Sequence, residues 1–299
     1  MKTPLAVYVS GQLGNQLFQR AAIEFCSLVS NRADIMLHSF CDSRTSPSRA
    51  LNGTRKHSLS VLESRACGYL LSRGANNALS SQPAMTKVAK WVLIAGLFLR
   101  TGRWFHVIVS KSLFDPPPSE PVNRPTYLIG YFQDFFWELY AEQVRNALLE
   151  VMSTPRDEST ELDLAVHMRF KDYFQAPDLG VLSPDYFSHQ VLKLVSKGKI
   201  QKIGVFSDDD EIAHAYTSHF SHLVEVEVFG PKRMSSSEAF CAIVQARNRI
   251  ISNSSFAWWA AYLGNSHSMT VVPSPWFRKV EGIQRHPHSW LVGQALWRD

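Results

Sequence analysis

From residue 162 onward, short apolar runs alternate with helical stretches, and this alternation constrains the fold more than any other feature. "LDLAVHMRF", "KIGVFS", "LVEVEVF", "RIISNS" and "SMTVVPS" read as strands. Helical patterns starting at Pro184 and Asp209, then "SEAFCAIVQAR" and "SFAWWAAYLG", separate them. A crossover helix between successive strands carries the chain back to the same end of the sheet, so the strands pair in parallel. A similar series opens the chain: strand "LAVYVS", a helix over roughly 14–30, and strand "DIMLHSF". After a long interval come strand "TYLIGYF" and helix "FFWELYAEQVRNALLEVM", and "STPRDEST" follows as a polar linker. The expectation is an α/β chain of two doubly wound, Rossmann-like domains, 1–158 and 159–299, facing a cleft, with ligand at the carboxyl ends of the strands. Residues 40–125 are rich in Ser, Arg and Pro and are expected to be a variable, basic, irregular or helical part of the first domain.

Composition narrows the class. With 299 residues, 45% of them hydrophobic, the chain can bury two ordinary cores. Cys26, Cys41, Cys67 and Cys241 lie far apart, without CxxC or zinc-type histidine spacing. That argues against a disulfide scaffold or structural zinc and suits a reducing compartment. Val7 begins a core-type strand where a signal peptide would lie, and "WVLIAGLFL" is too short to span a bilayer. A soluble or peripheral cytoplasmic protein is expected.

The net charge of +5 is unevenly placed, since Glu63 is the single acid between Arg44 and Lys111. Such a stretch suits an anionic partner or a solvated surface. "KVAKWVLIAGLFLRTGRWF" fits a helix lying on a membrane, and a buried helix with charged ends fits almost as well. A nucleic-acid partner lacks any recognition motif and is not expected.

Three phrases carry candidate chemistry. In "VYVSGQLGNQLFQRAAIEFC", Gly11 and Gly14 let backbone amides approach a phosphate or sugar at a helix start. A plain tight turn with Asn15 as helix cap is the simpler reading, but it leaves the amides of "NQLFQ" without a purpose. A nicotinamide fingerprint is not met, because the third glycine and the acid ending the second strand are missing. In "VHMRFKDYF", His167 and Arg169 alternate on one strand side, and Arg169 offers a planar fork of donors for a pyrophosphate. Asp172 can accept a proton or orient Arg169, and an Arg–Asp surface bridge beside a core histidine is the plainer alternative. In "RIISNSSFAWWAAYLG", Asn253, Ser254 and Ser255 cradle phosphate oxygens at a helix start, with Ser254 or Ser255 as its cap.

Together, "GQLGNQLFQRA", "HMRFKDYF" and "SNSSFAWWAAYL" resemble the signatures of glycosyltransferase family 11, the α-1,2-fucosyltransferases. Weaker echoes, "GYFQDFFWE", "SPDYF" and "FSDDDE", fall between them in order, and roughly 40–125 is private sequence. The resemblance implies a GT-B-like, inverting bacterial enzyme without a metal or other cofactor. It would move fucose from GDP-β-L-fucose to O2 of a terminal β-galactose in O-antigen or other surface-glycan assembly. It implies Arg169 as stabiliser of the leaving GDP, with Ser254 and Ser255 assisting, and Asp172 as base. Asn15 would position fucose or acceptor, and Ser207 and Asp208 would lie beside the ribose. The aspartate that the family pairs with guanine falls at Ala239 here, and Glu238, one residue earlier, would read guanine if the helix register shifts. His167, Gly11, Gly14 and Asn253 complete the expected donor contacts. The acceptor is expected to be a galactose-ended glycan, carried on a lipid pyrophosphate, with peripheral inner-membrane contact through 44–111. The family pattern HxRRGDY is broken here by Phe170 and Lys171. That departure keeps a second reading in view: a sugar-nucleotide or glycan-binding protein of the same fold with weak or no turnover.

Overall fold

The computed structural model describes residues 4–30, 34–39, 55–75, 82–152, 162–197, 200–280 and 286–298. The expected "STPRDEST" linker, Cys41 and part of the basic 40–125 stretch lie outside them. The chain forms two compact units, Met1–Ser153 and Thr154–Asp299.

In the first unit the elements run β1 (Pro4–Val9), α1 (Leu13–Val29), β2 (Asp34–Ser39), β3 (Arg55–Ser58), α2 (Val61–Ala75), α3 (Pro83–Thr101), β4 (His106–Val109), β5 (Thr126–Ile129) and α4 (Ala141–Met152). The sheet order is β3-β2-β1-β5-β4, and every pairing is parallel. The chain winds outward from β1 through β2 and β3, then returns to β1's other side with β4 and β5. β1 and β5 are buried along their whole length, as parallel strands covered on both faces must be.

The second unit runs β6 (Leu164–Met168), α5 (Lys171–Phe174), α6 (Pro184–Val195), β7 (Lys202–Ser207), α7 (Asp210–Thr217), β8 (Glu225–Phe229), α8 (Ser236–Gln245), β9 (Asn248–Ile250), α9 (Ser255–Leu263), β10 (Thr270–Ser274) and β11 (Leu291–Gln294). Its order, β11-β10-β9-β6-β7-β8, is again all parallel. Winding proceeds from β6 to one side and resumes with β9 on the other. Each sheet therefore reverses direction once, between β1 and β5 and between β6 and β9, and loops splay apart at such points.

Three strands depart from the expectation. β3 and β4 fall inside the stretch read as irregular or helical, and β11 was not expected at all. All three are four-residue edge strands. An edge strand need not be apolar on both faces, so "RKHS" and "LVGQ" carry little strand signal. The helix expected from "FFWELY" starts later. Phe135 and Trp137 are buried in an extended segment, a 3-10 turn spans Glu138–Tyr140, and α4 begins at Ala141.

The glutamines of "NQLFQ" hold the first reversal together. Gln19 accepts a hydrogen bond from Ser10 N–H (2.8 Å) and donates to the Gly130 carbonyl (3.2 Å), joining the ends of β1 and β5. Gln16 donates to the Gly11 carbonyl at 2.7 Å. In the second unit Arg249, on β9 and fully buried, donates to the carbonyls of Ile243 (2.8 Å), Val244 (2.5 Å) and Ala246 (2.7 Å), capping the end of α8. Cys26 and Cys67 are buried free thiols whose pKa burial pushes up to about 12, so they are held in the unreactive thiol form.

Replacing Arg249 with Met should destabilise the protein by about 3 kcal/mol or more, because charged donors to buried carbonyls are lost. Urea unfolding measures this, and a variant within about 1 kcal/mol of the parent would contradict the role given to the guanidinium.

Candidate functional site

The second unit's reversal point gathers most of the expected site residues. β6 ends at Met168, and Arg169 follows in the loop to α5. β9 ends at Ile250 and leads through Ser252, Asn253 and Ser254 into α9. His167 Nδ1 lies 2.9 Å from Ser252 Oγ and ties the two strand ends together. Its ring also packs against Phe256, at 5.6 Å between centroids. Burial, with a smaller push from Arg169, lowers the His167 pKa to about 3. The imidazole is therefore neutral and works as a strut between the strands.

Arg169 is held from two sides. Its Nε lies 2.8 Å from Asp172 Oδ1 and its Nη1 lies 3.3 Å from Asp208 Oδ2. Asp208 is fixed in turn, since its Oδ1 accepts the Phe170 N–H at 2.9 Å. Burial raises the Asp208 pKa against the pull of Arg169 and that N–H. Burial opposes the arginine's charge as well, but the two carboxylates outweigh it and the Arg169 pKa is raised. The guanidinium also sits 5.9 Å from the Tyr173 ring centroid, and the Tyr173 hydroxyl donates to the Asn253 carbonyl at 2.8 Å.

The two carboxylates are not equivalent. The Asp208 side chain is 17% exposed, whereas that of Asp172 is 56% exposed. An ion pair open to water contributes only about 0–1 kcal/mol. The Arg169–Asp172 pair is thus the more solvent-accessible of the two.

The remaining expected residues are placed as follows. Asn253 is buried, and its Nδ2 donates to the carbonyls of Leu179 and Gly180, 3.0 Å each, clamping that loop. Ser254 occupies the cap position of α9 but makes no side-chain capping bond, contrary to the expected cap, and Ser255 is the first helical residue. The Ser207 hydroxyl is engaged in a local turn with the Asp209 backbone. Asp209, not Asp208, caps α7 through Ile212 N–H. Glu238 lies exposed, and its carboxylate closes a capping box by accepting from Ser235 N–H (2.8 Å) and Ser235 Oγ (2.6 Å). Those two bonds lower its pKa, and any base it reads must compete with them. Phe170 is fully buried, with its ring 4.9 Å from that of Tyr216 in a T-shaped contact, so it belongs to the core.

In the first unit, Gly11 has φ +83°, and a Cβ there would meet Asn15 Nδ2 at 2.8 Å. Two constraints thus require glycine. Asn15 is neither the helix cap nor a loop residue. Gln12 holds the cap position, and Asn15 lies in the first turn of α1 with its Oδ1 accepting from Gln133 Nε2 at 2.9 Å. Gly14 is buried beside it. Gln133 was missed as a site residue. It follows Phe132, a buried residue at φ 53° in the left-handed region that bulky side chains avoid. Strain of about 1–3 kcal/mol at such a residue is typical of functional loops, and here it aims Gln133 at Asn15. The available signal was "GYFQDFFWE". Among the described residues no group of three or more His, Cys, Asp or Glu side chains is placed to hold a metal.

The His167 pKa sets a sign for acid stability. In the folded protein it lies near 3, below the ordinary 6.5, so the unfolded chain binds the extra proton between these values. This contribution is complete above about pH 6.5 and is lost as pH falls towards about 3. His167→Asn should flatten the stability profile in that window by up to one proton, and urea unfolding at several pH values measures it. An unchanged slope would contradict a buried neutral imidazole.

Comparison with known proteins bears on family and fold. An alpha-1,2-colitosyltransferase of Escherichia coli is 28% identical over 136 residues, 43% of this chain and 46% of its own length. The O-antigen biosynthesis glycosyltransferase WbnK of Escherichia coli is 28% identical over 133 residues, 42% of this chain and 43% of its own length. The chain thus spans just under half the length of these relatives. A mutant of Arabidopsis thaliana FUT1 in complex with GDP shares the fold, with a TM-score of 0.51 at 12% identity, covering 97% of this chain and 73% of that one. Two doubly wound parallel units, as found here, are the GT-B pattern. The family model described as Glycosyl transferase family 11 matches residues 115–282, more than half of the chain and all of the Arg169 and Ser254 loops, and the chain belongs to that family.

Proposed function

We propose that this protein is an inverting α-1,2-fucosyltransferase that uses GDP-β-L-fucose and needs no metal. It would fucosylate O2 of a terminal β-galactose during O-antigen or other surface-glycan assembly. A cytoplasmic site of action on a lipid-linked glycan belongs to the same proposal. The observation that supports it is Arg169 at the β6/β9 reversal, paired with a largely buried carboxylate, Asp208, and a more exposed one, Asp172. Next to it, the first N–H groups of α9 and the Ser254 and Ser255 hydroxyls offer further donors to phosphate oxygens.

In the proposed reaction, the β-phosphate of the donor takes Asp172's place on Arg169. The C1–O bond of fucose breaks with its electron pair passing to the β-phosphate oxygen, whose growing charge Arg169 stabilises. The galactose O2 attacks C1 from the opposite face, and its proton passes to the freed Asp172 carboxylate. Preorganised donors at developing charge contribute most where water is excluded. Ser207 and Asp208 are assigned to the ribose, Glu238 to guanine, and Asn15 to positioning the sugar.

A second donor has its own support. One relative is named a colitosyltransferase, and colitose is fucose without the 3-hydroxyl. A pocket that hydrogen-bonds that hydroxyl would reject the colitose donor by several orders of magnitude, and a pocket that leaves it free would accept both.

Incubation with GDP-fucose and lactose or Galβ1,3GalNAc should yield fucosylated product and free GDP. Donor binding without product on a broad galactoside panel would favour the non-catalytic alternative. Arg169→Ala should lower kcat by about 100- to 1000-fold or more, and a near-normal rate would remove the mechanism. Asp172→Asn should lose rate while GDP-fucose affinity holds or rises, because the carboxylate competing for Arg169 is weakened. A collapse of affinity would make Asp172 an orienting residue instead of the base.

A further inference from the structure

We infer that the outward face of α3 docks the first unit onto an anionic lipid bilayer, lying in the headgroup layer without crossing it. α3 buries Ala89, Leu93 and Leu97 against the unit's core. At 100° per residue, the opposite arc of roughly 120° carries Met85, Val88, Trp91, Val92, Ala95 and Leu99. All six are exposed, with Trp91 at 62% and Leu99 at 86%. A water-facing helix of an ordinary domain carries charged residues along that arc. Here a continuous apolar stripe faces outward.

The charges beside the stripe choose its occupant. Lys87 flanks it on one side. Past the left-handed cap at Gly102, exposed Arg103 precedes Trp104, whose ring is 60% exposed and stacks on Phe98 at 4.4 Å. Residues 64–114 contain no Asp or Glu. Glu63, the acid just before that stretch, is buried and engaged with Arg100 and the Ser60 N–H. Apolar residues and tryptophan inserted below a rim of lysine and arginine match an acidic leaflet. Among the described residues no helix is long and apolar enough to span a bilayer, so the contact is peripheral.

The proposal goes beyond the transferase reading and is tested without any sugar donor. The full chain is mixed with vesicles of equal parts phosphatidylglycerol and phosphatidylethanolamine, or of phosphatidylcholine alone, and the bound fraction is read by flotation at rising salt. Binding should favour the phosphatidylglycerol vesicles by about tenfold and weaken with salt. The double variant Trp91→Glu/Leu99→Glu should lose about tenfold or more of that binding while keeping the parent's melting temperature, since both side chains face water. Lys87→Glu/Arg103→Glu should lose a similar factor. Equal vesicle binding by parent and variants would overturn the proposal. So would a parent that ignores vesicles but forms a dimer in solution that Trp91→Glu/Leu99→Glu dissociates, which would assign the stripe to a second copy of the chain.

Discussion

The hydrogen bond between His167 and Ser252 closes the point where the second sheet changes its winding direction. Without a tie there, the loops leaving β6 and β9 diverge, one towards α5 and the other towards α9, and the side chains they carry lose their common focus. Burial lowers the pKa of the imidazole, so an uncharged ring makes this tie. The first unit meets the same constraint with amides: Gln19 bonds to both strand ends, and Gln133 reaches Asn15. Both units thus use neutral, well-satisfied polar side chains to brace the one place where a parallel sheet leaves a crevice.

On that brace sits a single strong electrostatic element. Arg169 cannot be buried uncompensated, so two carboxylates attend it, and their unequal exposure gives them different fates. Asp208, locked by the Phe170 N–H, remains with the cation. Asp172 is the more exposed partner, and in the proposed reaction it is the one that yields to phosphate. In the free protein the two carboxylates compensate the guanidinium. Phe170, turned into the core against Tyr216, keeps a second cation out of this arrangement.

Much of this was legible in the sequence, and the exceptions have physical causes. "KIGVFS" coincides with β7 at Lys202–Ser207 because a central parallel strand is apolar throughout. β3 and β11 left little trace because edge strands need no such pattern. Glycine spacing and the Arg169 motif pointed to the strand ends at which the two sheets reverse. Side-chain commitments were less visible. The ladder that makes Glu238 a capping residue and the left-handed Phe132 that turns Gln133 towards Asn15 depend on local backbone geometry that spacing alone does not encode. The amides of "NQLFQ" had no purpose in a plain turn, and Gln16 and Gln19 are structural ties.

The account rests on Arg169 exchanging an exposed carboxylate for a phosphate. A crystal structure of the full chain with GDP tests this most directly. The account predicts the guanidinium within about 2.7–3.2 Å of a β-phosphate oxygen, with the Asp172 carboxylate withdrawn and Asp208 still in place. A nucleotide bound elsewhere, with Arg169 still paired to Asp172, would contradict it.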